Sequence, residues 1–560
     1  MTRTNDEPGT AEAFLRTLLR PGTAPLSNRR EFCGIAFGAG LVAIAPASTA
    51  IAAPAAPRAS YFPSGSVQVD SGADLQAMLD KHKSVRLGAG YYGSVIIRTG
   101  QTLVGLPGGH TKLERITVQK GARDFEIRGI EVEEALRIEA GMPVGPGLLR
   151  DMRGGVLANG AELKDIDLVS MYQSQQDFRN TKTRNIRWVR PQTHNGGWNN
   201  TLPALIVTGQ GEGNAVVAFN ALDPRNGGLW IEGQKNFSVY GLDEESYLKR
   251  KVKAPVIKIR KSGEVLLAGV GGFAHEAQGV DSDAAKTYYW RSELETGQEN
   301  ILDNGRPFVR ERPPAWPRWQ RRQPVVRLPR VDASRATEDD GTLQRRLDDG
   351  PMVIELDRDV SIRKPLRVRR KVIIVGNGHA IVQRDPSQPV LEVQFVGAMI
   401  TERVTAPFDM VDLALVGGRV GVLHNQVNLQ LTGFTWANIL FQDQREAGIL
   451  LDKDAYAFDQ GLLDHCTFDG PAGWIHRAIR RGDGDHESIS YADKVMAYRC
   501  VFDNTQASVD LQPFRADNLL AFVECDFKAP ARMSSHLNYP VIVGCTGPVD
   551  SKSSTTVHFD

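Results

Sequence analysis

Residues 74–108 read DLQAMLDKHKSVRLGAGYYGSVIIRTGQTLVGLPG, and residues 342–378 read TLQRRLDDGPMVIELDRDVSIRKPLRVRRKVIIVGNG. The two stretches share one plan. Leu75, Gln76, Leu79 and Asp80 answer Leu343, Gln344, Leu347 and Asp348. Each opens on a short amphipathic turn and runs into β-branched pairs, at 85–87 and 95–97 in one and 353–356 and 372–375 in the other. Each closes on Val-Gly-x-x-Gly or Val-Gly-x-Gly. A short helix ahead of extended segments that stop at glycine is how a stacked-coil β structure covers its first coil. Without the cap that apolar end would be wet and open to edge pairing. Two copies predict two β-solenoids in tandem, each with a short N-terminal capping helix, in an all-β fold.

Working outward, short strand-like units recur at Phe125–Val132, 163–168, 183–189 and 214–219, with period-two alternation that buries one face. No stretch alternates strands with long helices, which disfavours βαβ folds. Residues 256–261 and 265–268, around Gly263, read as a hairpin. In the second half, Gly433-Phe-Thr-Trp436, Asp464-His-Cys-Thr-Phe468, Tyr498-Arg-Cys-Val-Phe502 and Val523-Glu-Cys-Asp-Phe527 line up. Cys and Phe at i and i+2 point the same way in a strand. Cys466, Cys500 and Cys525 are therefore expected to stack inward, as free buried thiols rather than disulfides. Cys545 lies in the same final hundred residues.

The expected divisions are an export signal at 1–52, a linker at 53–69, a first solenoid at 70–300, a Pro/Arg/Trp-rich connector at 301–335 and a second solenoid at 336–560. The signal rests on Arg29-Arg30 with Phe32 two places on, a Gly/Ala-rich run at 34–45 and Ala50-Ile51-Ala52 as a cleavage site. This pattern resembles a twin-arginine signal and implies a folded protein handed to that export machinery, working in the periplasm or outside the cell. The run is too short for a stable membrane span. With 67 basic against 66 acidic residues, nothing in the charge points to nucleic acid. In the connector, Trp316 and Trp319 among arginines suit either stacking on a sugar or packing between the two domains, and packing is the commoner use.

The caps and the x-Cys-x-Phe rungs resemble the right-handed parallel β-helix of the pectate-lyase-fold superfamily. Its members are mostly polysaccharide lyases and hydrolases, uronate epimerases, phage tailspikes and adhesins, so the resemblance implies a fold and a polysaccharide partner more than one reaction. The polygalacturonase motifs are missing, apart from a reversed Lys258-Ile259-Arg260. Asp339-Asp340 falls in a cap. Against the Asp-Pro-His-Asp of alginate epimerases the chain offers Asp223-Pro224-Arg225-Asn226.

Two regions hold the candidate chemistry. If the cysteines point inward, His465, Arg499 and Glu524 point outward as a column on adjacent coils, along a groove. The insert beside them carries His476, Arg480, Arg481, Asp483, Asp485, His486 and Lys494. For β-elimination, His486, Lys494 or Arg499 is the candidate base, with Arg480 or Arg481 neutralising a uronate carboxylate. For hydrolysis, Asp483, Asp485 and Glu524 are the candidate carboxylates. Asp483 and Asp485 also suggest a calcium site. The rival region lies in the first solenoid: Tyr172, Arg190, His194 and Trp198 crowd one loop-rich stretch, where basic and aromatic residues suit an acidic glycan and Tyr172 with His194 would serve as acid and base. The leading expectation is a lyase on a uronate-containing polysaccharide; a glycoside hydrolase, a C5-epimerase and a non-catalytic glycan-binding protein are the alternatives.

Overall fold

The computed structural model describes residues 60–560 other than 173–174, 195–201, 223–225, 247–253, 275–278, 293–294, 297–300, 304–307, 396–403, 407, 427–428, 453–454, 456, 478–490, 512–518, 534–539, 553–555 and 560. It is a parallel β-solenoid fold of about 15 turns with two α-helices, α1 (Leu75–His82) and α2 (Thr342–Asp349). Among the described residues no helix is long and apolar enough to cross a membrane.

Both helices form where the repeat places them. Asp74 accepts a hydrogen bond from Ala77 N (3.0 Å), capping the first turn of α1. Leu75 and Leu79, and Leu343 and Leu347, are buried on the end of each core. The repeated glutamine has a defined task. Ile96 N donates to Gln76 Oε1 (2.7 Å) and Gln76 Nε2 donates to Ile96 O (3.2 Å). Arg367 N and Gln344 Oε1 (2.8 Å), and Gln344 Nε2 and Arg367 O (3.0 Å), repeat the pair in the second copy. A side-chain amide thus satisfies the outermost strand as a neighbouring strand would, and closes the edge.

The first solenoid runs from Val67–Val69 to Phe308–Val309, with its strands shared between a 15-stranded and a 12-stranded sheet. The second runs from Thr337–Glu338 to Val557–Phe559, with a 21-stranded and a 4-stranded sheet. Ile257–Arg260 and Glu264–Ala274 are not a hairpin. They pair in parallel with different sheets, as successive sides of one coil. Gly263 turns the corner between them, not a reversal. Part of the segment read as linker, residues 60–69, is built into the fold: Tyr61 and Phe62 are buried and Val67–Val69 is the first strand.

The inward cysteine column is present. Cys466, Cys500, Cys525 and Cys545 are free and buried. Each thiol donates at 3.3 Å to a carbonyl of the preceding coil, at Trp436, Leu463, Ala497 and Phe522 respectively. The phenylalanines stack beside them, Phe441 on Phe468 at 4.6 Å and Phe468 on Phe502 at 4.7 Å, nearly coplanar in orientation. The rung equivalent to Phe468 is therefore Phe441, not Trp436, which lies beside Leu463 instead.

One backbone feature recurs in the coils and sets which side chains face out. Asp151, Ser170, Arg190 and Ala218 in the first solenoid, and Asp412, Asn438, His465, Arg499 and Glu524 in the second, have φ of 50–55°. A left-handed residue bends the strand and resets its alternation. The residue before the bend and the residue at it both face outward, and the next faces the core. Val169 packs outside, Ser170 makes the bend and Met171 enters the core.

The two solenoids lie side by side, coil against coil, from Arg86 beside Glu355 (3.4 Å) to Arg291 against the Thr556 carbonyl. The middle of this seam is dry: Val189, Val217, Tyr240 and Ala268 pack against Leu462, Met496, Ala521 and Val541. Each large apolar side chain buried there contributes roughly 1.5–3 kcal/mol. Polar groups lie at the two edges of the seam and, where Arg150 meets Asp464, in the same column one coil before the apolar stretch.

Candidate active site

The column of His465, Arg499 and Glu524 stacks as expected, because Asp464, Tyr498 and Val523 are in register. It does not line an open groove. Arg499 and Glu524 are 3% and 1% exposed. Glu524 accepts from Arg499 Nε (2.7 Å), from Arg187 Nη1 of the first solenoid (3.3 Å) and from Trp319 Nε1 of the connector (3.0 Å). Arg499 Nη1 also donates to Gln323 Oε1 (2.9 Å). His465 sits against Asp464, whose carboxylate meets Arg150 of the first solenoid at 3.1 Å. Burial raises the Asp464 pKa, but Arg150 and His465 outweigh it and hold the acid at about 2. Alternation along a strand carries no sign of a neighbouring solenoid: an outward face at the level of one coil is an interface at the level of two.

The connector covers this edge. Trp316 Nε1 donates to Ser238 Oγ (2.8 Å), Arg187 lies 4.3 Å over the Trp319 ring, and Arg322 pairs with Asp167 (2.7 Å). Arg327 and Arg330 continue across neighbouring coils to Asp469. Both tryptophans are thus packing residues. His476 is also structural: it lies inside the second solenoid, in register with Leu451 and Leu511, and burial pushes its pKa down to about 3.

The opposite edge brings the two candidate regions together. Tyr172 on the strand Ile166–Tyr172 donates to Gln460 Oε1 of the second solenoid (3.0 Å). Lys494 is buried one coil beyond Gln460, because Asp459 and Asp493 are in register and both Gln460 and Lys494 occupy left-handed bends. Arg153, in register with Tyr172, has its guanidinium 4.9 Å over the Tyr172 ring and reaches the Gly433 carbonyl across the seam (3.5 Å). Gln192, Asn220 and Asp243 continue the column, with Asn220 Nδ2 donating to Asp243 Oδ2 (3.1 Å).

Arg190 is at the centre of this edge and is 5% exposed. Its Nη1 donates to Ser170 Oγ on the adjacent coil (2.9 Å), while Nε and Nη2 have no partner among the described residues. Those two atoms form the flat side of the guanidinium, the geometry that takes a carboxylate with two parallel hydrogen bonds. Burial lowers its pKa to about 10, against the pull of Asp151, Tyr172 and Asp459. Asp151 accepts from Thr435 Oγ1 (3.2 Å), and its Oδ2 is likewise without a partner among the described residues. Burial raises Asp151 to about 6, with Arg153 opposing and Asp409 adding to the rise.

Tyr172, Arg190 and Lys494 are thus gathered on one edge from the two regions the sequence offered as rivals. His194 ends the strand Arg187–His194, its backbone beside Leu222. Trp198, Arg480, Arg481, Asp483, Asp485 and His486 lie outside the described residues, and with them the suggested calcium carboxylates. Asp151, Arg153 and Gln460 were missed, since an isolated Asp or Gln at a bend, or an Arg at a strand end, carries no local signal. The left-handed bends are the one cue, because Asp and Asn are favoured there. Among the described residues no group of three or more His, Cys, Asp or Glu is placed to hold a metal ion.

No family model matches the chain, and no curated protein does. Solved structures do. A PL6-family alginate lyase, AlyGC, is 8% identical over 88% of this chain and 100% of its own, with a TM-score of 0.23. The protein sacteLam55A from Streptomyces sp. SirexAA-E is 9% identical over 86% of this chain and 95% of its own, with a TM-score of 0.27. The catalytic domain of a GH87 α-1,3-glucanase in complex with nigerose is 10% identical over 90% of this chain and 70% of its own, with a TM-score of 0.15. At such identity and superposition these likenesses carry no argument about this chain's chemistry.

Proposed function

We propose that the protein is an exported carbohydrate-active enzyme, a polysaccharide lyase that cleaves a uronate-containing chain by β-elimination at the seam edge around Arg190. The observation that carries this reading is the buried guanidinium of Arg190, whose Nε and Nη2 have no partner among the described residues, beside Tyr172 and Asp151. A buried cation with an open fork is destabilising until an anion fills it. In the proposed reaction Arg190 takes the uronate carboxylate and draws charge from C5. Lys494 removes the C5 proton. The C5–H electrons form the C4–C5 double bond, the C4–O bond breaks, and Tyr172 gives its proton to the departing oxygen. The Gln460 contact fixes the Tyr172 hydroxyl, and Arg153 over the ring favours the phenolate left behind.

Asp151 favours a second reading. A carboxylic acid held at about 6 suits a general acid in glycoside hydrolysis. One experiment separates the two. The purified protein is incubated with a panel of acidic and neutral polysaccharides, with calcium or with chelator. Ultraviolet absorbance follows unsaturated uronate, and a parallel assay follows reducing ends. Absorbance rising with reducing ends supports the lyase. Reducing ends alone support the hydrolase. Neither signal on any substrate sinks both readings, in favour of an epimerase or a binding protein.

A further inference from the structure

We infer that the short N-terminal stretch Ser60, Tyr61 and Phe62 is a keystone for this site, with Tyr61 the positioning residue that closes the seam over Asp151. The inference rests on the proposed site at that edge, and it concerns residues that neither solenoid contains. All three residues are bound to the second solenoid through one carboxylate. Ser60 Oγ donates to Asp412 Oδ2 (2.7 Å), Tyr61 N to Asp412 Oδ1 (2.6 Å) and Phe62 N to Asp412 Oδ2 (3.5 Å). Asn438 Nδ2 donates to the same Oδ1 (3.1 Å), so Asp412 is fully engaged.

The side chains turn the other way, onto the first solenoid. Phe62 lies under the Arg86 guanidinium at 3.9 Å, and Arg86 itself reaches Glu355 and Asn377 across the seam. The Tyr61 ring lies 5.2 Å from Arg128 and 6.0 Å from Arg150, and is 1% exposed. Gly129 makes the room: a Cβ there would come within 2.4 Å of the Tyr61 hydroxyl. That hydroxyl has no partner among the described residues, so the ring rather than the oxygen does the work.

Arg150 and Met152 are in register with Arg128 and Ile130, so Gly129, which the Tyr61 hydroxyl covers, lies beside Asp151 on the neighbouring coil, and Asp151 is the group this ring shields. It is faced by Arg153 and Arg190 from its own sheet, by Tyr61 from the N-terminal stretch, and by Thr435, Asp409 and Asp464 from the second solenoid. With the Tyr61 ring removed, water reaches the seam between Arg128, Arg150 and Asp151. The desolvation that raises Asp151 then falls away, and the acid returns toward the ordinary carboxylate range.

The test uses the full chain and no substrate. Thermal unfolding is followed across the window between 3.8 and about 6, where a raised Asp151 makes stability fall as pH rises. Four proteins are compared: wild type, Tyr61→Phe, Tyr61→Ala, and Tyr61→Ala in an Asp151→Asn background. Tyr61→Phe is expected to match wild type in both Tm and slope. Tyr61→Ala is expected to lower Tm and to lose the Asp151-dependent part of the slope, while in the Asp151→Asn background it changes Tm but not slope. If Tyr61→Ala does not fold, Tyr61→Leu keeps most of the volume and takes its place. A wild-type slope in Tyr61→Ala, or the same change of slope with and without Asp151, overturns the inference. Failure of every polysaccharide to turn over would sink the enzymatic reading and leave this result untouched.

Discussion

The hydroxyl of Tyr172, on the first solenoid, donates a 3.0 Å hydrogen bond to Oε1 of Gln460, on the second. The two residues are 288 positions apart in the chain, and their contact makes the edge of the seam one site. Tyr172→Phe removes the proton but keeps the ring beneath Arg153. We expect it to reduce kcat on the responsive polysaccharide by roughly 100-fold or more, the range for a lost acid–base group. Unfolding free energy should change by only about 1 kcal/mol, the worth of one neutral hydrogen bond. A stability loss with kcat intact would make Tyr172 structural.

Arg190 should separate stability from function in the opposite sense. Arg190→Met replaces a buried cation, incompletely paired among the described residues, with an apolar side chain of similar length. We expect its Tm to equal or exceed wild type. Binding of an acidic oligosaccharide should be lost, and Arg190→Lys should not restore it, because an ammonium lacks the two-pronged face. Calorimetry with a uronate oligosaccharide and thermal unfolding measure the two effects. A clear fall in Tm for Arg190→Met would mean that the guanidinium is paired in the native protein.

Asp151 carries a pH signature. Its folded pKa, about 6 against the ordinary 3.8, means that the folded state holds a proton the unfolded chain has lost. Stability from this group is present in full below the ordinary value and is lost as pH rises through about 6, amounting to about 3 kcal/mol by neutrality. Asp151→Asn should therefore be the more stable protein at neutral pH and nearly equal to wild type in acid. Denaturant unfolding at both pH values checks this. Equal effects at both would show that Asp151 titrates normally.

The cysteine ladder predicts a null response to redox. The four buried thiols, Cys466, Cys500, Cys525 and Cys545, each donate to a carbonyl and also hydrogen-bond to one another along the column, as reduced thiols. Burial pushes the Cys500 and Cys545 thiols up; it raises Cys525 too, but hydrogen bonds from Cys500 and Cys545 outweigh it and pull that thiol down, so inaccessibility is what protects the column from reagent. A thiol reagent should label these four only after unfolding, and reductant should leave Tm unchanged. Cys500→Val should be destabilising by about 1 kcal/mol, because it removes the thiol's hydrogen bond to the Leu463 carbonyl.

Much of this architecture was legible in one chain because a solenoid repeats its instructions locally. Leu75, Gln76 and Leu79 recur as Leu343, Gln344 and Leu347, and the spacing of Cys and Phe along a strand names the buried face without any knowledge of the rest of the fold. Tyr172, Arg190 and Lys494 were legible only as residue types suited to an acidic glycan. Which face was covered was not legible. His465, Arg499 and Glu524 stack as the alternation demands, yet another solenoid and the connector lie on top of them.

By itself, then, the sequence determined the coil: its caps, its inward column and its period, all set by contacts between residues one strand or one coil apart. Only the tertiary structure decided the seam. It put Tyr172 against Gln460, buried Arg190 beside Asp151, and drew Tyr61 between the two stacks. The physical reason is range. Burial and pairing between coils of different solenoids depend on residues hundreds of positions apart, whose meeting no local pattern encodes, and it is this burial that shifts the charges from which the chemistry is inferred.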